Sequence, residues 1–240
     1  MSRRFEVLGG KSEEPEITIK RLFGNVATPE EAIVVGFADT DHFNPIVKCA
    51  INNSLEHFAT PEDLLLIEGI FRGEKPDGKN QTYKPHVSVN IRAEGWEDPS
   101  VLQRAIAASE ELDRAERELS EMKARPTTKM EVYTKTISNN NARQELDSKV
   151  IFKRNDVLTD VIVEEVRPDR KLFFVVGKGH LRKDPEFAKR LERKLPQDTP
   201  YVVLEAEYND TFKNRCFEES KRNGFENVTQ EAKIIIAKKR

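Results

Sequence analysis

Short, nearly unbroken apolar runs recur along the chain, and between them apolar residues fall at helical spacing. AIVVGFA (32–38), LLLI (64–67) and KLFFVVG (171–177) have the character of strands buried on both faces, as in parallel sheets. PIVKCAINNSLEHF places Ile46, Val47, Ala50, Ile51, Leu55 and Phe58 on one helical face. Pro45 falls in its first turn, where a missing N–H costs little, and Cys49 reads as a thiol of that helix. Strand, helix and strand with short links make a βαβ unit.

Further along, 72–85 reads as a loop and HVSVNIRA (86–93) alternates like a strand, with Trp96 after it. Residues 99–125 predict a charged helical insertion. Its stripe is Leu102, Ile106, Leu112, Leu119 and Met122, set among Glu, Arg and Lys at i,i+4 spacing. The stretch 126–148 holds few large apolar side chains and the run Ser138-Asn139-Asn140-Asn141, and predicts a flexible segment or partner surface. Residues 153–166 put Val157, Leu158, Val161, Ile162 and Val166 on one side of a helix, although the β-branched content also suits a strand. DPEFAKRLERKL (184–195) reads as a helix capped by Asp184, YVVLEAE (201–207) and KIIIA (233–237) as strands, and Ile17–Phe23 as a short one. The alternation predicts an α/β fold. It is a single layered domain over 31–240 with a largely parallel central sheet flanked by helices, behind a polar, partly ordered extension at 1–30.

Composition narrows the classes. The 240 residues are 37% hydrophobic and 34% charged, enough for one core under a well solvated surface. Forty Lys and Arg face 42 Asp and Glu, for a net charge of −2, which argues against bulk attraction to nucleic acid or anionic membranes. The opening MSRRFEVLGGKSEEPE lacks the apolar run of a secretory signal, and no stretch is long and apolar enough to span a bilayer. Cys49 and Cys216 suit a reducing compartment. The expectation is a cytoplasmic protein; one exported without a signal peptide would have the same features.

Candidate chemistry gathers at strand ends, where open α/β sheets bind ligands. The first strand runs into Asp39-Thr40-Asp41-His42, the second ends at Glu68-Gly69, and the strand at 171–176 runs into Gly177-Lys178-Gly179-His180. Two imidazoles and a carboxylate can hold a divalent metal with open positions for water or substrate. Without metal, a His oriented by a carboxylate can act as a general base. Backbone N–H groups at Gly177 and Gly179 could stabilise an oxyanion, and Lys178 could meet an anionic substrate group. Gly-Lys here lacks P-loop spacing.

These segments look like the motifs of a superfamily that includes erythromycin esterases, the haem-uptake-linked ChaN proteins, and the Tiki and TraB proteins. VVGKGHL (175–181) resembles the late G-x-G-H motif, DLLLIEG (63–69) the Glu-ended strand, and FADTDHF (37–43) the early G-[ET]-x-H. KRNDVL (153–158) is similar to the Arg-Asn helix of Tiki- and TraB-like members, and Gly95-Trp96-Glu97-Asp98 resembles a Gly-Trp-Asp segment. Asp39 stands where the family usually has Gly, and Thr40 replaces the esterase-like Glu, which leans towards the Tiki/TraB-like branch.

The resemblance implies a hydrolase acting on an ester or amide of a small molecule or peptide. His42, Glu68 and His180 would be its catalytic residues and its ligands to a divalent metal. Asp41 would accept a proton, Arg154 would anchor a substrate carboxylate or phosphate, and Thr40, Gly177, Lys178 and Gly179 would line the substrate. In a metal-free version one His is the base and Arg154 stabilises the developing anion. Two alternatives stand beside it: a protein that binds haem or another metal without turnover, and a catalytically silent effector that engages a protein partner through 99–148.

Overall fold

The computed structural model describes residues 17–39, 45–76, 90–126, 128–208 and 234–236. The apolar runs form the middle of a seven-stranded sheet ordered β4-β3-β5-β2-β6-β1-β7. Its strands are β1 (Ile17–Gly24), β2 (Val34–Asp39), β3 (Leu64–Phe71), β4 (Arg92–Glu97), β5 (Leu172–Gly177), β6 (Tyr201–Tyr208) and β7 (Ile234–Ile236). Strands β4, β3, β5, β2 and β6 are mutually parallel; β1 runs antiparallel to β6 and pairs in parallel with β7. The three runs at 32–38, 64–67 and 171–177 therefore lie together with their carboxyl ends on one edge, and the fold is a layered α/β domain.

Helices cover both faces, which is why these strands are apolar at successive positions rather than alternate ones. Val35, Phe37, Leu65, Ile67, Phe173 and Val175 pack on one side with Val47, Ala50, Ile51 and Leu55 of α1 (Pro45–Phe58). Val34, Leu64, Leu66, Leu172, Phe174 and Val176 pack on the other. There they meet Leu158, Val161 and Ile162 of α4 (Phe152–Glu165) and Phe187 and Leu191 of α6 (Phe187–Lys194). The chain leaves β2 for α1 on the first face and leaves the adjacent β5 for α5 (Lys178–Lys183) and then α6 on the second. That divergence is the switch point at which ligands enter open α/β sheets.

Several local expectations are corrected. The strand expected at 86–93 is displaced to β4, Arg92–Glu97, with residues 86–89 outside those described. Trp96 and Glu97, both fully buried, take the inward positions. Residues 153–166 form the helix α4 rather than a strand. The stretch read as flexible contains α3 (Lys129–Glu145), which folds back on α2 (Pro99–Lys123). Thr128 and Glu131 close a reciprocal capping box at its start, Asn139 donates to the carbonyl of Ala115, and Lys135 and Arg143 pair with Glu118 and Glu116. Ile106, placed in the apolar stripe of α2, is 51% exposed, and the buried residues of that helix are Val101 and Ala105. Asp184 does not cap a helix with its side chain: α6 begins at Phe187, and the carboxylate turns inward instead. No helix among the described residues is long and apolar enough to cross a membrane.

Gly36 of β2 leaves no room for a side chain. A Cβ there would lie 2.2 Å from the ring of Phe174 on the adjacent strand. Gly36→Ala should lower stability by about 1–3 kcal/mol, the usual cost of overfilling a packed core. Urea denaturation reads it, and adding Phe174→Leu should recover part of the loss. An unchanged urea midpoint for Gly36→Ala would contradict this packing.

Candidate functional site: a buried acid–base cluster

The carboxyl edge departs from regular pairing where β3 meets β4. Their register shifts between Ile67 and Phe71, and Gly69 adopts a left-handed φ of 85°. Gly95 makes room for the shift, since a Cβ there would lie 2.3 Å from the carbonyl oxygen of Ile70. Glu68 and Glu97 are thereby brought together, with the N–H of Gly69 donating to Glu97 Oε1 at 3.4 Å.

Helix α4 supplies the compensating charge. Between α3 and α4 the chain stays helical through a π-helical segment, Leu146–Ile151, which leads into the first turn of α4 and Arg154. Arg154 Nη2 donates to Glu68 Oε1 at 2.8 Å, Nε donates to Glu97 Oε2 at 3.2 Å, and Nη2 also pairs with Glu97 Oε1. The guanidinium carbon lies 5.7 Å from the ring centroid of Trp96, a cation–π placement. Glu68 Oε2 accepts the backbone N–H of Gly177 at 2.8 Å.

His180 completes the cluster from α5. Its Nε2 is 3.2 Å from Glu68 Oε1 and its Nδ1 is 2.6 Å from Asn155 Oδ1, while the Trp96 ring meets it edge to face at 6.3 Å. Glu68, Glu97, Asn155, Trp96 and His180 are all buried. Burial raises the pKa of Glu97, opposed by the hydrogen bond and charge of Arg154. For Arg154, burial works to lower the pKa, but the charges of Glu68 and Glu97 and their hydrogen bonds outweigh it and raise it. The guanidinium is therefore held charged. Two carboxylates against one fixed cation leave one uncompensated negative charge, which a site of low polarity disfavours. The cluster is neutral when it keeps one further proton, on His180 or on a carboxylate.

Of the residues expected to act together, Glu68, Arg154 and His180 meet. Thr40, Asp41 and His42 lie outside the described residues; β2 carries the chain as far as Asp39, which is buried and in register with Gly177. Arg154, expected to anchor a substrate anion, is engaged by two internal carboxylates instead. The Gly177 N–H, expected to face an oxyanion, holds Glu68. Lys178 pairs with the buried Glu205 of β6, and Gly179 sits in α5 with open space where a Cβ would stand. Glu97, Asn155 and Asp184 were not expected in the site. The signals for them were the Trp96-Glu97 pair after a strand and the Asn beside Arg154.

The described donors do not suit a metal ion. Glu68 Oε1 and Oε2 already accept from Arg154 and Gly177, and a cation between Glu68 and His180 would sit against the guanidinium. Among the described residues no group of three or more His, Cys, Asp or Glu is arranged to hold one. Compared with protein-family models, curated proteins and solved structures, the chain matches none. The fold and the cluster thus define the protein only as a layered α/β protein with a buried acid–base site.

The raised pKa of Glu97 gives a signed pH dependence. The folded state binds the Glu97 proton more tightly than the unfolded chain does, so this group makes stability fall as pH rises from the ordinary carboxylate value of 4.5 to its folded value. Glu97→Gln should abolish that component. Urea midpoints from about pH 4 to about pH 8 should decline less steeply for the variant than for the parent. Parallel curves would show that Glu97 does not titrate as its burial requires.

Proposed function

We propose that the protein hydrolyses an ester or amide at the carboxyl edge of the sheet without a metal, with His180 as general acid. The observation that supports it most is the bracketed imidazole: Nδ1 is taken by Asn155 and Nε2 faces Glu68, beside a charge balance that favours one retained proton. Such a proton is buried yet exchangeable, the property a general acid requires. Buried ion clusters of this kind seldom add stability over an apolar core, which favours a chemical role.

In this reading Glu68 orients the Nε2 proton, and Arg154 holds the Glu68 carboxylate in place. His42, three residues beyond Asp39 in sequence, takes the proton of the attacking water. Asp41 accepts that proton onward, and Thr40 contacts the substrate. Water adds to the carbonyl carbon as His42 removes its proton; the C–O or C–N bond then breaks as the Nε2 proton of His180, held towards Glu68 by a long 3.2 Å contact, passes to the leaving atom. Products are an acid and an alcohol or amine, and solvent exchange resets both imidazoles.

A second reading, a protein-interaction module, draws on a different observation. On α3, Met130, Tyr133 and Ile137 are 70%, 63% and 43% exposed, at spacing that places them along one side of the helix. The two readings separate on turnover. With a panel of nitrophenyl esters and peptide anilides, His180→Gln and His42→Gln should each lower kcat by about 100-fold or more, and EDTA should change nothing. Turnover by the parent that persists unchanged in both variants would remove the hydrolase reading. A parent inert across the panel, with Tyr133→Asp abolishing capture of a partner, would establish the other.

A further inference from the structure

The least expected feature of the cluster lies behind the imidazole. Asn155 sits on the core-facing side of α4, one turn before Leu158 and Thr159, where the helix would otherwise present an apolar side chain. Its Nδ2 donates to Asp184 Oδ2 at 2.9 Å and to the carbonyl oxygen of His180 at 3.2 Å. Asp184 is in turn gripped by Arg190 of α6, Nη1 to Oδ2 at 2.7 Å and Nη2 to Oδ1 at 3.3 Å. Arg190 Nε also reaches Asp156 Oδ1 at 3.0 Å.

The polarity of this chain is fixed by what each group can do. A carboxylate held by a guanidinium accepts hydrogen bonds and donates none, and a backbone carbonyl likewise only accepts. The Asn155 atom facing both must therefore be the NH2 group, whatever orientation the amide would otherwise take. Its oxygen then faces His180 Nδ1, and because that oxygen only accepts, Nδ1 must carry a proton. The remaining ring nitrogen, Nε2, is the atom left to gain or lose one against Glu68.

We infer that Asn155, locked by the Asp184–Arg190 ion pair, is a positioning residue that fixes the tautomer of His180, so that Nε2 is its proton-exchanging atom. This rests on the proposed role of His180 as acid. The helix α6 thereby sets the protonation of the site through Arg190. It also explains why Asp184 turns inward rather than capping a helix: the helix-capping contribution, typically about 1 kcal/mol, is forgone in favour of a buried orienting contact.

The test reads the ring directly, on the full chain labelled with 15N-histidine. The sequence has four histidines, and His180→Gln identifies the His180 signals. In the parent protein, Nδ1 should stay protonated across the pH range while only Nε2 titrates. In Asn155→Leu, which removes the acceptor at similar size, the neutral ring should move to the Nε2–H tautomer, donating to Glu68. Asp184→Asn, a milder change, should free the amide and give a mixture of tautomers. A parent ring that neutralises by losing the Nδ1 proton would overturn the inference, as would tautomer and titration unchanged in both variants. Because the readout is independent of turnover, a fixed tautomer in a protein whose His180→Gln variant keeps full activity would remove the acid role of His180 and leave the positioning by Asn155 standing.

Discussion

One guanidinium between two buried carboxylates is the constraint on which the site depends. Glu68 lies in the last half of β3, at its register shift, and Glu97 ends β4, so neighbouring parallel strands deliver like charges to the same edge. Without Arg154 the two would repel in a medium that screens poorly. Removing one partner from such a cluster typically costs about 3–5 kcal/mol, because the others are left buried and unpaired. Leu158, Val161 and Ile162 hold α4 on the sheet, and the same helix brings Arg154 and Asn155 to the cluster.

Three backbone irregularities serve this contact. The register shift of β3, with the left-handed Gly69, brings the two glutamates together; Gly95 permits the close approach of β4; and the π-helical segment precedes the turn that carries Arg154 and Asn155. Among the described residues the sheet has a further register shift, between Arg21 and Phe23 where β1 pairs with β6, so irregular pairing is not confined to the charged cluster.

The strands buried on both faces were legible in the sequence because their apolar runs are uninterrupted, and their shared carboxyl edge followed from the helices between them. Glu68 and His180 were legible as polar residues directly after such runs. Arg154 was legible only through resemblance, and its role differs, since a helix pattern does not show which charge faces inward. Glu97 was hidden because β4 is short and charged, and reads as the tail of the alternating segment before it. Asp184 was misread for a physical reason: Asp before a helical pattern has the chemistry of a cap, and only the position of Arg190 and Asn155 turns it inward. α3 was missed because Asn- and Thr-rich sequence has weak helix propensity, although Thr128 and Glu131 stand at capping-box spacing.

The central claim is that Arg154 and Glu68 form one energetic unit, and a double-mutant cycle measures it most directly. Urea unfolding of Arg154→Met, Glu68→Gln and the double variant gives the coupling between them. The account predicts that the double variant is more stable than the sum of the single losses allows, by about 1.5–3 kcal/mol, because each single change strands the other group. Losses that add to within about 0.5 kcal/mol would mean the two side chains do not depend on each other, and the acid–base site described here would lose its foundation.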